Sequence, residues 1–178
     1  FPSNLLIPSK GYIVLEASVE NSPESISIGQ SLPGRGSSIY LYNPENQLSH
    51  QLDYGFQIPG RSIGSVNHSK SVFALQSALT PGQINADRAD IGSPASVVIN
   101  EWISYPLEGP DWIELFNSGD APADISEILI VDSGKSVVGQ GTRIPPLSYL
   151  DSRSWIRLNA GEDLNFGLDN RGESIRVY

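Results

Sequence analysis

Apolar and polar residues alternate with a period of two through most of this chain, in short groups separated by turn residues. In Val97–Ile103, Val97, Ile99 and Ile103 fall on one face and Val98, Asn100 and Trp102 on the other. In Asp111–Asn117, Ile113 and Leu115 share a face, and Trp112, Glu114 and Phe116 take the opposite one. Alternation with β-branched and aromatic enrichment predicts strands. The connector Tyr105–Pro110 holds two prolines and a glycine and can continue neither a helix nor a ladder. Asn117-Ser118-Gly119-Asp120 then closes the second strand with turn chemistry. The same reading predicts strands at Tyr12–Ala17, Ser38–Tyr42, Gln51–Phe56, Ser71–Leu75, Glu127–Asp132, Ser154–Asn159 and Ser174–Tyr178. Asn43-Pro44-Glu45-Asn46 is expected to be a hairpin loop. Helix signals are poor, so the expected fold class is all-β, a sandwich or barrel.

The chain also repeats itself. Phe1–Leu15 lies over Ile144–Leu158 without a gap, matching Pro2 with Pro145, Tyr12 with Trp155, Ile13 with Ile156 and Leu15 with Leu158. Further on, Gly36-Ser37-Ser38-Ile39-Tyr40-Leu41-Tyr42 lies over Gly172-Glu173-Ser174-Ile175-Arg176-Val177-Tyr178. A repeat of roughly 140 residues suits one small sandwich per unit. The repeat starts in mid-unit. Residues 1–85 read as the back portion of one unit, 86–96 as a linker, and 97–178 as the front and middle of the next. An unpaired edge is costly, so the back portion is expected to complete the later unit in a permuted arrangement or to do so across copies by self-association. In either case Gln51–Phe56 should pair with Ser38–Tyr42 or a strand near Ser174–Tyr178. The short local hairpin is preferred, which leaves Ser174–Tyr178 as an edge. Gly36 and Gly172 are expected to be turn glycines, and Pro81-Gly82 to end a strand. Trp155 and Tyr12 are expected to supply the large aromatics of the core, or alternatively an exposed ligand platform.

Several of these segments resemble one family. Ile99-Asn100-Glu101 followed by Asp111-Trp112-Ile113-Glu114-Leu115-Phe116-Asn117 resembles the opening of a lamin-tail domain, and Asp124–Asp132 resembles its "D-L-S-G-W-x-L-x-D" strand. Glu127 stands there in place of Gly, and Ile128 in place of Trp. Gln51–Phe56, Gly60–Gly64 and Thr80–Asn85 are similar to the family's closing "D-x-V-x-Y-G", "S-x-G-R" and "T-P-G-x-x-N" elements, with Ser65 where Arg is usual. The resemblance implies an immunoglobulin-like β-sandwich, lamin-tail-like, of the kind found in nuclear lamin tails and in many secreted bacterial proteins. In bacteria such domains accompany hydrolases, nucleases and kinases and act in attachment or interaction. It therefore implies an extracellular or cell-surface location, with no signal peptide in view.

Composition narrows the chemistry. The 178 residues carry a net charge of −9, which disfavours nucleic acid and anionic membranes as partners. No apolar run approaches the ~20 residues of a membrane helix, so no membrane insertion is expected. Cysteine is absent, removing disulfides and thiolate chemistry. His50 and His68, the only histidines, have no partner at ligand spacing, and no zinc site is expected. Glu101, Glu108, Asp111, Glu114, Asp120 and Asp124 crowd the front of the second unit. Their ordinary explanation is a charged surface, with calcium the alternative. No nucleophile elbow is present, and Asp111 and Glu114, three apart in a strand, point to opposite faces. His68-Ser69 sits in a turn, which rarely holds triad geometry.

The expectation is a non-catalytic interaction or attachment module needing no cofactor or metal. A protein or polysaccharide would be its partner, and Trp102, Tyr105 and Trp112 form the candidate interaction surface. The alternative is a spacer or targeting domain of an enzyme whose catalytic domain lies outside this chain.

Overall fold

The computed structural model describes residues 6–16, 26–133 and 141–178. In chain order the strands are β1 (Leu15–Glu16), β2 (Ile26–Ser27), β3 (Ser37–Tyr42), β4 (Leu48–Tyr54), β5 (Ile63–Ser65), β6 (Phe73–Leu75) and β7 (Val97–Ile103). They continue with β8 (Trp112–Asn117), β9 (Ala123–Asp124), β10 (Leu129–Val131), β11 (Thr142–Arg143), β12 (Tyr149–Leu150), β13 (Trp155–Asn159) and β14 (Arg176–Val177). Helical structure among the described residues is confined to single 3-10 turns such as Val66–His68 and Pro94–Ser96. The fold is all-β. No helix is long and apolar enough to cross a membrane among the described residues.

The chain divides into two compact units, one of Phe1–Pro33 with Gly60–Ala89, the other of Gly34–Pro59 with Asp90–Tyr178. In the first, β1 pairs parallel with β2, and β5 pairs antiparallel with β6. The expected strand Tyr12–Ala17 forms only at Leu15–Glu16, and Ala17 lies outside the described residues. Gly82 has φ +73 in the turn after Thr80, and the Asn85 amide donates to Ser65 O at 2.8 Å, tying this segment back onto β5.

In the second unit the expected hairpin is present: β3 pairs antiparallel with β4 around an Asn43–Asn46 turn. The Asn43 side-chain oxygen accepts from the Glu45 and Gln47 amides, the local bonding that makes Asn a turn residue. At the base of the hairpin the chain enters the core. Gly55 N donates to Pro146 O at 2.8 Å, Phe56 N to Ser148 Oγ at 3.1 Å, and Tyr149 N to Phe56 O at 2.9 Å. Glycine is required at 55, since a Cβ there would stand 1.9 Å from Ser148 Oγ. Arg35 clamps the other arm, donating to Asp163 Oδ2 and to Arg157 O. Gly36 and Gly172 have φ +123 and +106, as expected of turn glycines.

The remaining sheets run β13-β8-β7, β11-β10-β14 and β12-β9. Ser174–Tyr178 appears as β14 at the end of its sheet, paired with β10. One hydrophobic core draws Ile113, Leu115 and Leu158 from the first sheet, Ile130 from the second, Leu150 from the third, and Phe56, Ile144 and Phe166 from the flanking segments. Each such aliphatic burial contributes about 1.5–3 kcal/mol. Asn117 is fully buried yet fully bonded. Its Oδ1 accepts from Ser96 Oγ and Gly119 N, and its Nδ2 donates to the carbonyls of Ala121, Leu150 and Asp151.

Two expectations about side chains are corrected. Trp155 and Tyr12 are not core aromatics: they are 60% and 45% exposed. In β13 the register sets Ile156 against Leu115 and Leu158 against Ile113, so the inner face is taken and Trp155 must point outward beside Phe116. The large aromatics of the core are Phe56 and Phe166. Trp102 does not share a face with Val98 either. The β7–β8 register shifts between Ile99 and Glu101, leaving Asn100 as an extra residue. Such a bulge inverts the alternation beyond it, so Trp102 pairs with the buried Ile113 on the side of Ile99.

Candidate functional site

The bulge decides where the candidate aromatics go. It turns Trp102 to the inner side of β7, at the end of the sheet where the core gives out, and there the indole is 59% exposed. Trp112, adjacent to inward-facing Ile113, lies on the opposite face, partly covered, with the Arg157 guanidinium 6.0 Å from its ring centroid. Tyr105 is 77% exposed in the connector. The structure thus separates Trp102 from Trp112.

Trp102 walls an open groove of about 480 Å³. Ile99, Leu168 and Ile175 give it apolar lining, while Ser104, Asp169, Asn170 and Glu173 give it polar lining. The segment opposite β7 is positioned by three local devices. Asp111 Oδ2 accepts from Leu168 N at 2.8 Å, fixing the start of the segment. Asp169 Oδ1 accepts from Arg171 N at 2.9 Å, closing a turn. Glu173 Oε1 accepts from Asp169 N at 2.9 Å, closing it from the far side. Gly172 supplies the positive φ that the return into β14 needs.

The groove is electrically one-sided. Burial pushes the Glu173 carboxyl above its ordinary range; the Asp169 amide opposes this, and the negative charges of Asp132, Asp169 and Asp111 add to it. Asp169 is held below its ordinary range by hydrogen bonds from the Arg171 side chain and amide. Asp132 sits one residue past Val131, which pairs with Arg176, and so falls level with Ile175. It is 7% exposed, and its Oδ1 has no hydrogen-bond partner.

Three of the other carboxylates singled out in the sequence are spent separately. Asp120 receives Arg153 through Nε and Nη2, Asp124 accepts from Ser126 N, and Glu114 accepts from the Asn100 amide. Among the described residues no group of three or more His, Asp or Glu is arranged to hold a metal ion. Asn67 and His68 both take positive φ, and Ser69 Oγ accepts from the Ser71 and Val72 amides, so that hydroxyl serves the turn.

Sequence reasoning found Trp102 but missed Leu168, Asp169, Asn170 and Glu173 as its neighbours. Asp169-Asn170-Arg171-Gly172 announces a turn, but no local signal ties that turn to β7. Comparison with protein-family models, with curated proteins and with solved structures gives no match to this chain.

Proposed function

We propose that this chain is a non-catalytic interaction module, a lamin-tail-like, immunoglobulin-like sandwich of a secreted or cell-surface protein, that holds its partner in the Trp102 groove. The observation that carries the reading is the groove itself: a large aromatic surface left bare at the end of a packed sheet, above an apolar floor with a polar rim. Exposed tryptophan on a rigid element supplies much contact area with little ordering cost.

Two positions of the family pattern make physical sense here. Glu127, where the pattern has Gly, takes φ 65, a conformation that glycine adopts freely. Gly55, in the "Y-G" element, is the residue whose Cβ would collide with Ser148.

The test is capture. Wild-type chain and Trp102→Ala are immobilised side by side and offered purified cell-wall polysaccharide and a displayed random-peptide library. Retention by the wild type that is lost in the variant supports the reading. Ligands held equally by both, or by neither, overturn it.

A further inference from the structure

We infer that the Trp102 groove takes a cationic side chain, Lys or Arg, of a partner polypeptide; this rests on the groove being the binding surface. An aromatic face attracts a cation electrostatically within about 6 Å of its centroid, and the Trp102 indole is the exposed wall of the groove. The floor of Ile99, Leu168 and Ile175 fits the methylene stem that both cationic residues carry.

The charge pattern selects the head group. Asp169 and Glu173 line the groove, and Asp111 and Asp132 lie close enough to disfavour ionisation of Glu173. Arg171 is bonded to Asp169 through Nε at 3.2 Å and Nη2 at 3.1 Å, and that pair is exposed. The Glu173 carboxylate is partly buried, and Asp132 is almost wholly so with one oxygen unpartnered. Carboxylates kept half out of water beside like charges are stabilised most by an incoming positive charge. An anion would be repelled by Asp169 and Glu173, and a neutral sugar would leave the field unanswered. The net charge of −9 adds attraction at long range.

The experiment uses the whole chain and three small probes: acetyl-arginine methylamide, acetyl-lysine methylamide and the neutral isostere acetyl-citrulline methylamide. Binding is read by NMR from the Trp102 indole N–H and the Gly172 and Glu173 amides, up to about 50 mM probe, which detects millimolar affinity. The expected result is saturable shifts at these resonances with the arginine or lysine probe, at least about tenfold weaker with citrulline, and diminished by salt. Trp102→Ala should weaken binding about tenfold and Glu173→Gln about threefold. Trp102→Phe, which keeps an aromatic face, should bind better than Trp102→Ala and guards against loss through misfolding. Citrulline binding as well as arginine overturns the cationic preference while leaving the groove reading intact. No shift with either cation, or shifts unaffected by Trp102→Ala, overturns the inference, and the capture assay then decides the groove reading on its own.

Discussion

Phe56→Ala tests whether the hairpin segment is part of the later unit's core. Phe56 is 6% exposed and belongs to the same hydrophobic cluster as Ile113, Leu158 and Phe166. Removing a buried Phe side chain costs about 3–5 kcal/mol, from lost transfer energy and the cavity left behind. Loss of the ring's contact with the Arg35 guanidinium, 5.3 Å from its centroid, adds little because Arg35 is partly exposed. With a urea m-value of about 2 kcal/mol/M the midpoint should fall by about 2 M. Tryptophan fluorescence is the appropriate assay, since Trp102, Trp112 and Trp155 all belong to the unit in question. Tyr40→Ala, on the exposed length of the hairpin, is the control and should leave the midpoint in place. A shift for Phe56→Ala below about 0.5 M would mean that the ring is not packed as described and that the hairpin is an appendage.

Four further outcomes are expected. Asn117→Ala should lower stability by about 2–4 kcal/mol in denaturant melts, because three carbonyls lose their donor in a buried site. Gly55→Ala should cost about 1–3 kcal/mol by thermal unfolding, since the new Cβ meets Ser148 and Pro145. Glu127→Gly should be neutral or stabilising by up to about 1 kcal/mol despite losing its contact with Arg143, because a left-handed φ costs a non-glycine residue more than an exposed ion pair returns. Glu173→Gln should raise stability at neutral pH and lose that advantage in acid. A carboxyl whose folded pKa lies above its unfolded one stabilises the fold only while protonated, so wild-type stability falls as pH rises through that range. Equal pH–stability profiles for the two proteins would contradict this.

Most of the ladder was legible from residue type alone. Val97–Ile103, Asp111–Asn117 and Ser154–Asn159 form strands within a residue or two of the expected bounds because their alternation is apolar on one side, and Ser38–Tyr42 does so as a run rich in β-branched and aromatic residues, exposed along its length. The two-residue strands β9, β11 and β12 were not legible, since no period can be read from so few residues. Trp155 was legible and misjudged: Ile156 and Leu158 claim the inner face, so alternation places Trp155 outside whatever the size of its indole. The face of Trp102 was misassigned for a different reason. A bulge is one residue long, and in Ile99-Asn100-Glu101 nothing but the polar pair marks it. The groove, joining β7 to the stretch near Gly172, is a product of tertiary packing that no local pattern encodes.

The route of the backbone has a consequence for biosynthesis and for cleavage. The chain passes from one unit to the other at 33/34, returns at 59/60, and passes again at 89/90. During vectorial synthesis, Gly34–Pro59 leaves the ribosome long before the strands that enclose Phe56 exist, and Tyr54, Phe56 and Ile58, buried in the finished protein, wait bare. The earlier unit meanwhile has all its sequence by residue 89. In the finished protein a protease nick near residue 89 would cut the polypeptide without releasing two pieces. The N-terminal fragment would stay moored by a hairpin whose base is stitched to Pro146, Ser148 and Tyr149, and the fragments would part only on denaturation.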